Sequence, residues 1–390
     1  MKKILWLPSW YPNKTAPFDG DFIQRMAQAT SIYAEIHVFF VVKDESLKDN
    51  LETIFAQNGN LHETIAYYKS SSFLPRLLSW KKYFSIYKQL ISSFIKKNGK
   101  PDLVHVQVPV KAGLIALWLK RTYGIEYVCT EHFAIYNDEL VDRFSRRSFY
   151  FKHYTQKVFK EARTLLPVSQ NLGDEINARV IKKDFTVIYN VADTGLFYYA
   201  PSAQQKFRFI HVSEMGSRKN VSGIIQAFCA LHKQQPGTEL ILAGPYTPEV
   251  FEAAKRSGLL NTAIFFTGQL SYESIALNMR QANALILFSN IENMPCVIIE
   301  ALCCGLPVIS TKTGGIAEVI NNSNGMLVPV GNETALLQSM QQLMGNYNRY
   351  NRATIAENAR QQFSYSEIGR QINEVYNQVL QTSAGDANVI

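Results

Sequence analysis

The chain has 390 residues, 47% of them hydrophobic and 18% charged, with a formal net charge of +8. That length exceeds one ordinary hydrophobic core, and the composition is that of a globular protein, which excludes a disordered chain and predicts two domains. No apolar run approaches the roughly 20 residues that a bilayer span needs, and an odd set of five cysteines excludes a disulfide framework.

The N-terminal Met-Lys-Lys-Ile-Leu-Trp-Leu-Pro has an apolar core too short for a signal peptide and reads as a buried first strand. Short apolar strands then alternate with helix-length amphipathic stretches, the pattern of parallel βαβ units. In the first half the strands are expected at 3–7, 36–42, 103–108, 127–131 and 164–168, with helices at 21–33, 80–97, 110–121 and 143–162. The tract Tyr199-Ala-Pro-Ser-Ala-Gln-Gln-Lys206 is polar and contains proline, and is taken as the interdomain linker. The alternation restarts with strands at 208–213, 240–243, 264–267, 285–289, 307–310 and 326–328, and a last helical pattern covers 365–381. Two doubly wound α/β domains, 1–198 and 199–364, are expected. Cys129, Cys229, Cys296, Cys303 and Cys304 lie in apolar segments and read as reduced packing residues, as in a cytoplasmic protein.

Basic charge is concentrated. Between Thr64 and Pro101 stand Lys69, Arg76, Lys81, Lys82, Lys88, Lys96, Lys97 and Lys100, with no acidic residue and with interleaved aromatics. Such a segment reads either as a core helix with a solvated lysine face or as an amphipathic element at a membrane surface. Nucleic acid is the weakest of the partners for this patch.

The segment with the most chemistry is Glu292-Asn-Met-Pro-Cys-Val-Ile-Ile-Glu300. Glu292 is placed in the loop after a strand ending near 289, and Glu300 on the helix that follows. Two acceptors, with the backbone N–H groups of Met294, Pro295's successor Cys296 and Val297, then lie at a strand's carboxyl end, where open α/β sheets bind ligands. Carboxylates there suit sugar or ribose hydroxyls, and helix N–H groups suit a phosphate. The competing reading, solvated or capping glutamates, is disfavoured by the apolar surroundings of Glu300, where a lone charge is costly. Lys219 opens a helix after the second half's first strand, beside Arg218. Thr313-Gly-Gly-Ile-Ala-Glu318 is a nest of backbone donors next to a helix start.

These separated elements, in this order, resemble the signature of the family-4 retaining glycosyltransferases (glycosyltransferase group 1), whose fold is GT-B: two Rossmann-like domains facing across a cleft. The resemblance implies a sugar transferase with a nucleotide-diphosphate sugar as co-substrate, UDP-linked or GDP-linked, and no metal or other cofactor. It implies that Glu300 binds ribose and Glu292 the donor sugar, with Asn293 alongside. Lys219, Arg218 and the Gly314 and Gly315 amides would hold the diphosphate. His132, in Cys129-Thr-Glu-His132 at a strand end, matches a position that contacts the donor sugar. Gly20 and Asp21 match the first loop, Asn190 the segment closing the first domain, and Gly268 a contact to the base. Where the family carries an arginine before this lysine, the chain has Glu214, with Arg218 as the substitute. Helix 365–390 is expected to cross back to the first domain. The acceptor implied is a glycan or a polyprenyl-linked sugar in envelope polysaccharide synthesis, with peripheral membrane contact through 64–100.

Asp19-Gly20-Asp21 also fits a D-x-D metal motif of another glycosyltransferase fold, but here it begins a helix, where Asp21 suits an N-cap. His105 reads as structural, with Gln107 at the same strand end. No dinucleotide fingerprint, P-loop or nucleophile elbow is present. Two alternatives remain: a nucleotide-sugar 2-epimerase of the same fold, and a non-catalytic nucleotide-sugar-binding protein.

Overall fold

Alternation of short buried strands with amphipathic helices builds two separate parallel sheets. The computed structural model describes residues 1–69, 76–201 and 206–387. They form two units, Met1–Tyr189 with Tyr365–Ile390, and Asn190–Ser364.

Unit 1 runs β1 (Lys3–Pro8), α1 (Asp21–Ser31), β2 (Glu35–Lys43), β3 (Leu51–Asn58), β4 (Leu61–Tyr68) and α2 (Arg76–Asn98). It continues with β5 (Leu103–Gln107), α3 (Ala112–Tyr123), β6 (Tyr127–Glu131), α4 (Phe149–Glu161), β7 (Leu165–Pro167) and α5 (Gln170–Arg179). The sheet order is β3-β4-β2-β1-β5-β6-β7, and every pairing but the edge pair β3–β4 is parallel. β5 and β6 are buried at every position, as central parallel strands covered on both faces must be.

Two strands were not expected from the sequence. β3 and β4 form a hairpin closed by Gly59-Asn60, with Gly59 at φ 57°. β3 is almost wholly exposed, so it lacks the apolar face that marks a strand. Part of the basic segment is therefore β-structure, and residues 70–75 of it lie outside the described residues. In α2, Tyr83, Ile86, Tyr87, Ile91 and Phe94 are buried, while Lys81, Lys88, Lys96 and Lys97 are exposed. This is a core helix with a solvated lysine face.

Unit 2 runs β8 (Phe207–Val212), α6 (Val221–Gln234), β9 (Thr238–Ala243), α7 (Pro248–Arg256), β10 (Ile264–Gly268), α8 (Tyr272–Gln281) and β11 (Ala284–Leu287). It ends with α9 (Cys296–Cys303), β12 (Val308–Thr311), α10 (Ile316–Val319), β13 (Gly325–Val328), α11 (Glu333–Gly345) and α12 (Arg352–Phe363). All pairings are parallel, in the order β10-β9-β8-β11-β12-β13. Phe209, Phe228, Leu240, Ile286, Phe288 and Ile309 anchor its core. The chain enters this unit before the polar tract at 199–206, since Asn190 Nδ2 donates to Met294 O at 2.7 Å and Ala192 N to Phe363 O at 2.9 Å.

The last helix, α13 (Tyr365–Ala387), returns to unit 1 and packs on α1, with Tyr365 Oη 3.0 Å from Gln28 Oε1. Its Tyr376 is fully buried and accepts from Trp6 Nε1 at 3.1 Å. Tyr376 Oη is also 2.6 Å from His105 Nδ1. Burial lowers the His105 pKa to about 3, so the ring is neutral. Its Nε2 accepts from Thr130 Oγ1 at 2.7 Å and from Gln107 Nε2 at 3.1 Å, which leaves the proton on Nδ1, facing Tyr376. Tyr376→Phe strands two buried N–H donors, Trp6 Nε1 and His105 Nδ1. The expected cost is about 2–4 kcal/mol of stability, read as a lower urea midpoint at unchanged slope.

Candidate functional site

In unit 2 the chain starts at β8, winds to β9 and β10 on one side, and then returns to β11 and winds the other way. Strand order reverses between β8 and β11. The loops leaving these two strands diverge at their carboxyl ends and open a crevice, the usual ligand position in such sheets. The β8 loop carries Arg218 and Lys219, and the β11 loop carries Glu292.

The two loops are joined twice. Asn290 N donates to Arg218 O at 2.8 Å, and Lys219 Nζ is 2.5 Å from Glu292 Oε1. The ion pair is partly buried, with the two side chains 25% and 11% exposed. Arg218 is exposed beside it. Glu300 sits in the second turn of α9, 4% exposed, and α9 begins at Cys296 behind Pro295 with no side chain capping its N-terminus. The uncapped end and its dipole favour negative charge. Lys219, Glu292 and α9 are thus brought to one edge of one sheet.

Several residues singled out from the sequence make local contacts that hold the chain. Gly315 N donates to Asn293 O at 2.7 Å, so that amide holds the Glu292–Asn293 loop and is not offered to a phosphate. Gly314, at φ 55°, presses on the same loop, where a Cβ would lie 2.1 Å from Glu292 O. Asn190 holds Met294 O from the other side. Gly268 ends β10 at φ 66° and accepts from Gly244 N at 2.9 Å. In unit 1, Gly20 itself is the N-cap of α1, in the left-handed region, and Asp21 is its first residue. A Cβ at Gly20 would meet the Trp10 carbonyl carbon at 2.5 Å, so the chain's own backbone requires this glycine. Asp21 accepts from Phe22 N at 2.7 Å and faces Arg25 at 3.6 Å, a local role.

One residue of this edge escaped the sequence reading. His211, at the end of β8, is buried, with Nδ1 2.9 Å from Ile286 O and Nε2 2.6 Å from Ser213 Oγ. Burial lowers its pKa to about 4. The carbonyl fixes the proton on Nδ1, and Ser213 donates to Nε2. Only its strand-end position could have marked it.

Unit 1 repeats the reversal between β1 and β5. A cavity of about 150 Å³ lies at these carboxyl ends, with Ser9, Trp10, Val108, Glu131, Tyr136 and Phe151 among its lining. Val108 has φ 67°, an unusual strain for a β-branched residue and one that clusters at functional sites. His132 follows β6, and its Nε2 donates to Gln107 Oε1 at 2.9 Å. Through Gln107 it joins the chain of hydrogen bonds that ends at Tyr376.

Glu131 is buried and accepts from His132 N and Phe133 N, each at 2.8 Å, and from Tyr136 Oη at 2.6 Å. Burial nevertheless outweighs these donors and raises its pKa to about 7. Between the ordinary carboxyl value and 7, the folded state keeps a proton that the unfolded state has lost, so this group's contribution to stability falls as pH rises. His105 and His211, with lowered pKa values, act oppositely as pH rises towards their unfolded values near 6.5. The clean readout is therefore a difference. The melting temperature of Glu131→Gln relative to the wild type should rise from pH 5 to pH 7.5, as measured by calorimetry, and a flat difference would contradict it.

Comparison with known proteins accounts for this layout. Residues 200–362 match the family described as glycosyl transferases group 1, and residues 35–196 match glycosyltransferase family 4. The N-acetyl-alpha-D-glucosaminyl L-malate synthase of Bacillus anthracis is 24% identical over 72% of this chain and 75% of its own length. The putative teichuronic acid biosynthesis glycosyltransferase TuaC of Bacillus subtilis is 21% identical over 87% and 88%. Among solved structures, sucrose-phosphate synthase from Thermosynechococcus elongatus superposes with a TM-score of 0.76 at 18% identity, covering 98% of this chain and 100% of its own. Anabaena HepE in complex with UDP gives 0.71 at 20%, covering 97% and 100%. With both units matched in order and the fold shared with those structures over nearly the whole chain, the chain belongs to the group 1, family 4 glycosyltransferases of the GT-B fold.

Proposed function

We propose that the protein transfers a sugar from a UDP-sugar, with retention at the anomeric carbon, to a glycan or lipid-linked acceptor in envelope polysaccharide synthesis. The observation that carries this reading is the Lys219–Glu292 pair at the β8/β11 reversal. An ammonium has three N–H donors. Glu292 engages one, and the others are assigned to the departing diphosphate. Arg218 supplies further positive charge, and Glu300 takes the ribose hydroxyls. Glu292 is assigned to the donor sugar together with Asn293. In unit 1, His132 is the candidate contact to the transferred sugar.

Catalysis then rests on stabilising the leaving diphosphate and an oxocarbenium-like sugar in a positioned complex. The acceptor hydroxyl attacks from the face that the diphosphate leaves. Lysine and the α9 dipole meet the leaving group's charge, so the reading needs no metal. The choice of UDP is supported by HepE, whose structures contain UDP and UDP-glucose.

The acceptor is assigned to unit 1. Phe151 of α4 lines the cavity at β1, β5 and β6, and the same helix exposes Phe149 (73%), Tyr150 (74%) and Tyr154 (41%). Phe149 stacks on His153, and Arg143, Arg146, Lys152, Lys157 and Lys160 surround the stripe in sequence. Exposed aromatics flanked by bases suit an anionic membrane surface. We therefore place peripheral membrane contact on α4 rather than on 64–100, whose described helix buries its apolar face.

Nucleoside diphosphate release across UDP-, GDP- and ADP-sugars, with and without membrane lipid extract, tests the reaction. One donor should support release, and Glu300→Ala and Lys219→Ala should each lower kcat/KM by about 10²–10³-fold. Retention is read from the anomeric configuration of the product by NMR. Tight binding of a nucleotide sugar with no release from any donor overturns transfer in favour of an epimerase or a binding protein. In flotation with anionic vesicles, Phe149→Ser/Tyr150→Ser should reduce the bound fraction several-fold, and equal binding would return the membrane contact to another surface.

A further inference from the structure

The opposite edge of the unit 1 sheet carries a side-chain cluster that the transfer reaction does not use. Glu35 and His37 lie two residues apart on β2 and therefore share a face. His62 of β4 is the register partner of His37 and stands on that face too. The two imidazoles are stacked, with centroids 4.6 Å apart and an interplanar angle of 10°. Glu35 Oε1 is 2.9 Å from His37 Nε2 and 3.8 Å from His62 Nε2. All three side chains are partly buried, so one side of the cluster is closed by protein and the other meets water.

We propose that Glu35, His37 and His62 form a binding site for one first-row divalent cation, of which Zn²⁺ is the best fit. Zinc binds imidazole nitrogen and carboxylate oxygen at about 2.0–2.2 Å, which sets neighbouring ligand atoms of a tetrahedron about 3.3–3.5 Å apart. The two observed separations bracket that spacing, and the three ligand atoms lie within 4.8 Å of one another; because an ion lies in the plane of each imidazole it binds, the stacked rings must turn apart about their side-chain torsions to share it. Two imidazoles and one carboxylate favour zinc, nickel or copper over magnesium or calcium, which prefer all-oxygen shells. The fourth position faces solvent, leaving room for a water or an added ligand.

The surroundings fit a structural or regulatory ion rather than a reacting one. Phe94 packs against His37, with centroids 4.6 Å apart, and fixes its ring from the α2 side. Lys3 is the register partner of Glu35 on β1, but its Nζ donates to Asn98 O at 2.7 Å, so its ammonium is directed to α2's carboxyl end. The cluster lies at the amino ends of β2 and β4, whereas His132 follows the carboxyl end of β6 in the same sheet. Clamping β4 to β2 there would stiffen the strands that carry the exposed hairpin.

The test is titration of the metal-free full-length protein with Zn²⁺ in competition with a chromophoric chelator, with Mg²⁺ in excess. One equivalent of Zn²⁺ should bind, insensitive to Mg²⁺, and should raise the melting temperature. Affinity should fall by at least about 100-fold in His37→Ala/His62→Ala and more mildly in Glu35→Gln. Circular dichroism of the metal-free variants checks their folding. No stoichiometric binding by the folded wild type overturns the site, as does binding that survives the double histidine substitution or is displaced by Mg²⁺. None of these readouts depends on transferase activity, so the proposal stands or falls separately from the proposed reaction.

Discussion

The constraint on which the unit 2 site depends is the reversal of strand order between β8 and β11. Parallel strands point all their carboxyl ends to one edge, so every βα loop of the sheet gathers there. Right-handed crossovers cover opposite faces on the two sides of the reversal, and only there do neighbouring loops part. Lys219 and Glu292 are 73 positions apart in sequence, yet they lie on the two loops that this geometry separates. The Asn290–Arg218 hydrogen bond, the Gly314 approach and the Gly315 and Asn190 hydrogen bonds all act on the same loops. They hold the backbone of Glu292 to Met294 from three directions, which fixes a carboxylate that would otherwise lie on a free loop.

Pairing also explains how such charges are tolerated. A partly buried lysine or glutamate alone carries a desolvation cost, and each offsets the other's. In the proposed reaction the same contact is a form of preorganisation. The ammonium is already partly stripped of water and aimed, so binding a diphosphate orders fewer rotamers than an extended lysine would require. The exposed Arg218 adds a cation beside the pair, which is itself neutral.

Much of this edge was legible in the sequence because its signals are local. The strand–loop–helix run from 284 to 303, with a charge embedded in Val297-Ile-Ile-Glu-Ala-Leu, can be satisfied in few ways. The β3–β4 hairpin was not legible in the same manner. β3 is an exposed edge strand whose Leu51, Ile54 and Phe55 do not alternate, and its Gly59-Asn60 turn was the one local cue. The local contacts of Gly20 and Gly315 were hidden for a related reason. Sequence shows that a glycine is needed, but not whether a ligand or the chain's own backbone makes the approach. The Glu35–His37–His62 cluster depends on the register of β2 with β4, and so on a strand that was itself missed.

The two units handle polarity in opposite ways, and this bears on what each can bind. Unit 2 places a compensated ion pair, an exposed arginine and an uncapped helix end at its reversal, a combination suited to a charged diphosphate. Unit 1 places there a mainly neutral chain, Trp6–Tyr376–His105–Gln107–His132, with the His105 proton fixed on Nδ1 by its acceptor. The chain transmits orientation: Gln107 can accept from His132 only because its amide is turned to donate to His105. His132 Nε2 thereby carries a proton, with its position set through a helix that enters unit 1 from the far end of the sequence. In the proposed reaction, selection of the acceptor in unit 1 would then rest on the walls of its cavity, and that of the donor in unit 2 on charge.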